Sequence, residues 1–226
     1  MPDIPLRFSG PITLVGGGAL ERSHLDAALA LAPTLIAADG AADRLAGWNV
    51  TPAAVIGDMD SISDPAAWDE MTSEVLRLEE QETTDFEKCL YATEAPFYIG
   101  AGFTGRRVDH ALAVFHAMLR YPEKTVVLIG EAEAIALVPA SRRIQVELPL
   151  QTVVSLYPLC PVKAVWSDGL AWPVDGMNFA PGHQIGTSNH ASKQQVGLQV
   201  DGPGLLMMIP AEHLPALLFA MTGDSA

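Results

Sequence analysis

The order of the apolar runs constrains this chain more than any single residue does. Ile12–Val15, Leu35–Ala38, Ala54–Ile56, Phe97–Ile99 and Thr125–Ile129 are short apolar stretches that run into Gly or Asp. Between them Ser23–Leu31, Asp64–Met71, Asp85–Thr93 and Val108–Leu119 carry the 3.6-residue spacing and the caps of helices. Strand and helix in alternation predict an α/β fold, a mostly parallel sheet with helices on both faces, whose ligands sit beyond the carboxyl ends of the strands. After Glu131 the texture changes. Ala134–Val138, Arg143–Leu148, Thr152–Leu156, Lys163–Trp166, Gln194–Val200 and Leu205–Ile209 are β-rich runs separated by Pro, Gly and Asp turns, and no long helical pattern returns until about Leu214. This second stretch reads as an all-β module.

Charge divides in the same place. Residues 1–150 hold 11 basic and 22 acidic side chains, and residues 151–226 only 2 and 5. Two domains are therefore expected, over 1–140 and 141–226. Hydrophobic residues make up 49% of the 226, which excludes a disordered chain. A net charge of −14 argues against a nucleic-acid partner and favours a cationic one. Cys89 and Cys160 form neither a disulfide framework nor a zinc ladder and read as packing residues. Met1–Arg7 has no signal-type apolar core, and the apolar runs are broken by Pro or Gly short of a membrane span. The expectation is a soluble, cytoplasmic protein without a membrane partner.

Acids stand where such a fold places chemistry. Asp39 follows one strand, and Asp58 and Asp60 follow another in Gly57-Asp58-Met59-Asp60-Ser61. Two residues apart in extended chain, those carboxylates face one side. Asp85 and Asp109 open the next two helices, so a doubly wound sheet is expected to gather all five on one rim. Such crowding is costly unless a cation neutralises it. Hard oxygen donors without a Cys or His array point to Mg²⁺, whose other ligands are commonly phosphate oxygens. Each acid alone also has a local reading, since Asp39 and Asp60 suit turn or helix caps, and Asp85 sits inside the capping box Thr84–Glu87 beside the helix dipole.

Glycine-rich loops add an anion-binding reading. Gly100-Ala101-Gly102-Phe103-Thr104-Gly105-Arg106-Arg107-Val108-Asp109-His110 runs from a strand into a helix, where backbone amides and arginines suit phosphate, although no Walker A sequence occurs. Gly105 and His110 are candidate nucleotide contacts. Gly17, in the triplet Gly16–Gly18, is another, with a plain glycine turn as the alternative. Gly186-Thr187-Ser188-Asn189 reads as a polar turn.

Taken in order, Asp39-Gly40-Ala41, Gly57-Asp58-Met59-Asp60-Ser61, Gln81-Glu82-Thr83-Thr84-Asp85-Phe86-Glu87-Lys88, Gly105-Arg106-Arg107-Val108-Asp109-His110 and Thr187-Ser188-Asn189 resemble the motifs of thiamine pyrophosphokinases. The resemblance runs from about residue 12 to 210. It implies an α/β catalytic domain that binds nucleotide and metal, a β-sandwich that binds thiamine, and a homodimer with sites at the interface. The activity implied is transfer of a pyrophosphoryl group from ATP to the thiamine hydroxyl, giving thiamine diphosphate and AMP. By motif, Asp58, Asp60 and Asp85 correspond to Mg²⁺-binding acids, and Asp39, Gly40, Arg107 and Asp109 lie near the nucleotide and the catalytic centre. Ser188 and Asn189 match the thiamine-binding turn. Arg106 stands where the family pattern has a second glycine, and Met207 stands near where some relatives carry a thiamine-stacking Trp. Other readings of the same residues are a different Mg²⁺-dependent phosphotransferase or pyrophosphatase, or a non-catalytic nucleotide or thiamine binder.

Overall fold

The computed structural model describes residues 6–63, 68, 74–140 and 142–223. The helix expected over Asp64–Met71 lies outside the described residues apart from Trp68, which is helical. The chain forms two compact units, the described residues up to Ala117 with Leu128–Glu131, and Met118–Val127 with the described residues from Ala132 onward.

The first unit begins with β1 (Leu6–Arg7) and β2 (Ile12–Val15), followed by α1 (Arg22–Leu31), β3 (Thr34–Ala38), a 3₁₀ turn over Asp39–Ala41 and α2 (Ala42–Gly47). β4 (Ala54–Gly57), β5 (Glu74–Arg77), α3 (Asp85–Ala92), β6 (Thr93–Glu94), β7 (Tyr98–Ala101), α4 (Val108–Arg120) and β8 (Val126–Ile129) complete the alternation. β2 lies in the middle of the parallel array, with Val15 opposite Ala37 of β3 and Ala101 of β7. β4 and β5 extend the array beyond β3, also in parallel, while β1 pairs with β6. The chain thus winds outward from β2 through β3 to β5, then returns to the opposite side of β2 as β7. That reversal opens a crevice at the carboxyl ends of β2 and β7.

Burial explains why these runs are strands. Every residue of β2, β4 and β7 is inaccessible to solvent, as parallel strands covered on both faces require. Val15, Leu35, Ala37 and Val55 point to one face and pack with Leu25 of α1 and Leu45 of α2. The alternate positions face the other way, and α3 packs against β3 and β4. Fully burying each of the larger aliphatic side chains contributes about 1.5–3 kcal/mol.

The second unit contains β9 (Glu133–Leu137), β10 (Ile144–Glu147), β11 (Val153–Pro158), β12 (Val162–Asp168), β13 (Asn178–Phe179), β14 (Gly186–His190), β15 (Gln195–Val200), β16 (Leu205–Pro210) and α5 (Leu214–Thr222). They form a β-sandwich of two antiparallel arrays, β10-β15-β12-β13 and β14-β11-β16-β9. Alternation is clear in β10, where Ile144 and Val146 are buried while Gln145 and Glu147 are exposed. Gly186–Asn189, expected as a polar turn from its Gly, Thr, Ser and Asn, lies in the strand Gly186–His190. Its pairing with β11 overrides local turn composition, and the register shifts between Val154 and Leu156. Ser188 takes a left-handed φ of 62° there and donates its N–H to Ser155 Oγ at 3.0 Å. Met207, near the position where some relatives carry a Trp, is fully buried in β16.

Candidate active site

A cavity of about 550 Å³ opens at the carboxyl ends of the parallel strands. Loops that follow β2, β3, β4 and β7 line it, and they approach one another through glycine. A Cβ on Gly17 would fall 2.9 Å from the carbonyl oxygen of Gly40, so the loops after β2 and β3 touch backbone to backbone. A Cβ on Gly57 would fall 2.7 Å from Asp39 Cγ, so only glycine lets β4 pass this carboxyl.

Oxygen atoms of Asp39, Asp58 and Asp60 lie within 4.8 Å of one another. Asp39 is buried, and its Oδ1 accepts the N–H of Gly40 at 2.5 Å while Oδ2 accepts that of Met59 at 3.1 Å. Desolvation, then the charge of Asp85 and the hydrogen bond to Asp58, push the Asp39 carboxyl up to about 7. Asp58 responds in the opposite sense. Against the cost of desolvation, hydrogen bonds from Gln81, Asp39 and Lys88 hold its carboxyl well below the usual range. Desolvation raises Asp85, with Lys88 and Asp39 acting against it. Asp39 is thus the member of the cluster that takes up a proton most readily, and Asp58 one that stays ionised.

Two groups beyond the expected set complete the cluster. Gln81 donates from Nε2 to Asp58 Oδ2 at 2.8 Å, and Lys88 Nζ lies 3.2 Å from the same oxygen and 3.9 Å from Asp85 Oδ1. Lys88 is buried in α3. The motif string contained both residues, but a lysine in a helix ordinarily reads as solvated, and only the approach of β4 reveals its partner.

Glu80 fixes the segment that delivers them. Its Oε2 accepts the N–H groups of Glu82 at 2.9 Å and Thr83 at 3.0 Å, while Oε1 accepts the hydroxyls of Thr83 and, at 2.7 Å, of Tyr91. Despite desolvation, these bonds lower its carboxyl to about 2. Thr84 caps α3 as expected, accepting the N–H of Glu87 at 3.4 Å.

Of the five acids expected on one rim, Asp58, Asp60 and Asp85 line the cavity and Asp39 lies against Asp58. Asp109 does not line it. At the start of α4 its exposed carboxylate takes a bidentate pair from Arg107, 3.1 and 2.6 Å, instead of facing the other acids. Gly17, Gly40, Gly105, Arg106, Arg107 and His110 all line the cavity. The Gly16–Gly18 segment is a less open anion cradle than expected, because the N–H groups of Gly16 and Gly18 already bond Ala101 and Gly102 carbonyls at 2.9 and 2.7 Å. Arg106 adopts φ 52°, the left-handed conformation that glycine takes without strain and that costs other residues about 1–2 kcal/mol.

In the second unit Ser188 is exposed and Asn189 is buried. The Asn189 Oδ1 accepts the N–H of Trp172 at 3.1 Å and of His190 at 2.9 Å, and Nδ2 donates to the Trp172 carbonyl at 2.7 Å. Its amide therefore fastens the Trp172 backbone and presents that indole, 60% exposed and edge-on to His190.

The family model for the thiamin pyrophosphokinase catalytic domain matches residues 25–129, and that for the thiamin pyrophosphokinase vitamin B1 binding domain matches residues 141–205. The chain belongs to the thiamin pyrophosphokinase family. Thiamine pyrophosphokinase 1 of Arabidopsis thaliana is 25% identical over 166 residues, and thiamine pyrophosphokinase 2 of the same plant 27% over 168. Each match takes in 66% of this chain but 62% of the relative, less than two thirds of the plant protein's length. The thiamin pyrophosphokinase from Candida albicans shares the fold at a TM-score of 0.75 and 15% identity, over 93% of this chain and 94% of that one. Thiamine pyrophosphokinase from Bacillus subtilis does so at 0.72 and 20%, over 88% and 98%. An α/β unit followed by a β-sandwich is thus the architecture of this pyrophosphokinase family, and the acid cluster lies within the part matched by its catalytic-domain model.

Proposed function

We propose that the protein transfers a pyrophosphoryl group from ATP to the hydroxyl of thiamine, forming thiamine diphosphate and AMP. The observation that carries the reading is the convergence of Asp39, Asp58 and Asp60 beside a glycine-lined cavity, in a chain matched by both family models. The domain division is read as 1–140 for nucleotide and metal and 141–226 for thiamine.

The donor set suits a hard divalent cation, since it is all carboxylate and runs from buried Asp39 through half-buried Asp58 to exposed Asp60. Asp58 and Asp60, with Asp39 or Asp85 adjoining, would hold Mg²⁺. When bound, Mg²⁺ supplies charge neutralisation for triphosphate oxygens. The protein's own groups do the rest. Gln81 and Lys88 keep Asp58 ionised, and Gly17, Gly40 and Gly105 let a nucleotide approach the backbone. Arg107 would exchange its solvent-screened pair with Asp109 for charge developing on phosphate, with His110 alongside. The hydroxyl oxygen attacks the β-phosphorus, the bond from that phosphorus to the α-phosphate oxygen breaks to release AMP, and the hydroxyl proton passes to whichever carboxylate of the site the metal leaves free. Ser188 and Asn189 belong to the thiamine side, Asn189 through the Trp172 segment that it fastens.

The acidic surface suits a thiazolium cation and no nucleic acid. No helix among the described residues is long and apolar enough to cross a membrane. A cytoplasmic homodimer with sites at the interface is part of the same reading, and sedimentation of the purified protein tests the dimer.

The deciding experiment is incubation with ATP, Mg²⁺ and thiamine, resolving AMP from ADP. Thiamine-dependent AMP and thiamine diphosphate are expected. ADP, or AMP released without thiamine, would move the protein to another phosphotransferase or pyrophosphatase. Binding without turnover would leave a nucleotide or thiamine binder.

A further inference from the structure

Three guanidinium groups surround the glycine loops of the first unit, and each is engaged differently. Arg107 is held by the Asp109 carboxylate. Arg44, half-buried in α2, donates from Nη1 to the Gly18 carbonyl at 2.7 Å and from Nη2 to the Gly17 carbonyl at 3.1 Å. These carbonyls orient Arg44 without cancelling its charge. Arg106 is exposed on the cavity lining, and its side chain makes no hydrogen bond or ion pair among the described residues.

Arg106 and Arg44 meet the same segment. Gly105, at φ 79°, packs so close to Ala19 that a Cβ on it would fall 2.8 Å from Ala19 Cβ, and Arg44 grips the two residues just before Ala19. The two cations are near enough for burial and then the charge of Arg106 to lower the Arg44 pKa. In a chain with 27 acidic residues against 13 basic ones, Arg106 on the cavity lining and Arg44 on the adjoining Gly17–Gly18 carbonyls place two guanidinium groups at one glycine segment, with neither paired to a carboxylate among the described residues. One of them also stands on a left-handed backbone. Like charge left unneutralised is relieved by an anion.

We propose that Arg106, with the charge of Arg44 behind it, is a seat for the terminal phosphates of the nucleoside triphosphate. This rests on the nucleotide reading above and extends it. Arg106 is ready for the anion, whereas Arg107 must first leave Asp109. A guanidinium presents paired N–H donors to phosphate oxygens, so the ligand recognised is a polyphosphate chain, independent of the base attached to it.

Arg106→Gly tests this with little risk to folding, because glycine adopts the observed φ freely while the charge is removed. Titration with inorganic tripolyphosphate in magnesium-free buffer, followed by calorimetry, is expected to show at least a tenfold weaker affinity than the parent. The KM for ATP should rise by a similar factor, the KM for thiamine should stay within twofold, and the melting temperature should not fall. Arg106→Lys keeps the charge but not the paired donors and should fall between the parent and Arg106→Gly in tripolyphosphate affinity. An affinity for tripolyphosphate unchanged in Arg106→Gly, or equally low in the lysine variant, would overturn the proposal. The outcome is separable from that of the enzyme reading. If the parent forms no AMP from ATP and thiamine, yet Arg106→Gly loses tripolyphosphate, the anion seat stands and the reaction assignment falls.

Discussion

Lys88 Nζ lies 3.2 Å from Asp58 Oδ2, and the two side chains are 2% and 13% exposed. This ion pair joins α3 to the end of β4 and keeps one member of the acid cluster charged. Breaking a buried pair by removing one partner typically costs about 3–5 kcal/mol. Lys88→Met is accordingly expected to lower stability by about 3 kcal/mol in the metal-free protein. Millimolar Mg²⁺ should recover part of the lost melting temperature, because a cation at Asp58 substitutes for the missing ammonium. Thermal unfolding with and without Mg²⁺ checks this, and an equal deficit in both would remove Lys88 from the metal cluster.

Asp60 differs from Asp58 in being exposed, its carboxylate taking, among the described residues, only the Ser61 hydroxyl at 2.9 Å. Asp60→Asn should leave the melting temperature nearly unchanged while reducing turnover at saturating Mg²⁺ and ATP to less than about a tenth, since a metal ligand contributes several kcal/mol to the transition state. Steady-state AMP formation measures it. A variant as active as the parent would take Asp60 out of the metal site.

Glu80 has the opposite pH signature from Asp39. Its carboxyl lies at about 2 in the folded chain against 4.5 when unperturbed, so the unfolded state binds more protons between those values. The contribution is fully present above about 4.5 and is lost as pH falls toward 2. Glu80→Gln should therefore cost about 2 kcal/mol at pH 7. The gap between variant and parent should narrow steadily below pH 4.5. Urea unfolding at several pH values would show a constant gap if the Glu80 charge were irrelevant.

Asp39 works in reverse. With its carboxyl raised to about 7 from 3.8, the folded state binds the extra proton, and stability falls as pH rises from about 4 to 7. A cation entering the cluster displaces that proton. Stabilisation by Mg²⁺ should be larger at pH 8 than at pH 6, and proton release should accompany binding at pH 7. Calorimetry in buffers of different ionisation enthalpy reads the proton directly, and none released would place the cation away from Asp39.

Asn189→Ala should raise the KM for thiamine by about tenfold or more and change that for ATP by less than twofold, because three hydrogen bonds of the amide fix Trp172 and His190. Each such bond contributes about 1 kcal/mol, so some stability is lost as well. Tryptophan fluorescence of the variant reports whether the indole has moved. Equal shifts in both KM values would count against a thiamine-side position.

Much of this arrangement is legible from residue order. The apolar run Ile12–Val15 is a strand with those same ends, and the pattern over Val108–Leu119 is a helix one residue longer. Asp58 and Asp60 stand at the carboxyl end of β4 because a buried parallel strand must end in a polar loop. Local sequence is silent where distant partners decide. Glu74–Arg77 is charged at both ends and becomes a strand by pairing with β4, and Gly186–His190 becomes one by pairing with β11. Ala42–Gly47 is too short to show a helical period. Lys88 acquires its meaning from an aspartate thirty positions earlier, and Asp109 loses its expected place to an arginine two positions away.

Gly17 and Gly40 meet with no side chain between them. The lip of the cavity is therefore a weld rather than a hinge: displacing the turn after β2 drags the turn carrying Asp39 along with it. A methyl group added at Gly17 would meet the Gly40 carbonyl and one at Gly102 that of Gly16, so room for a bulkier ligand has to be found among the side chains of Arg106–His110.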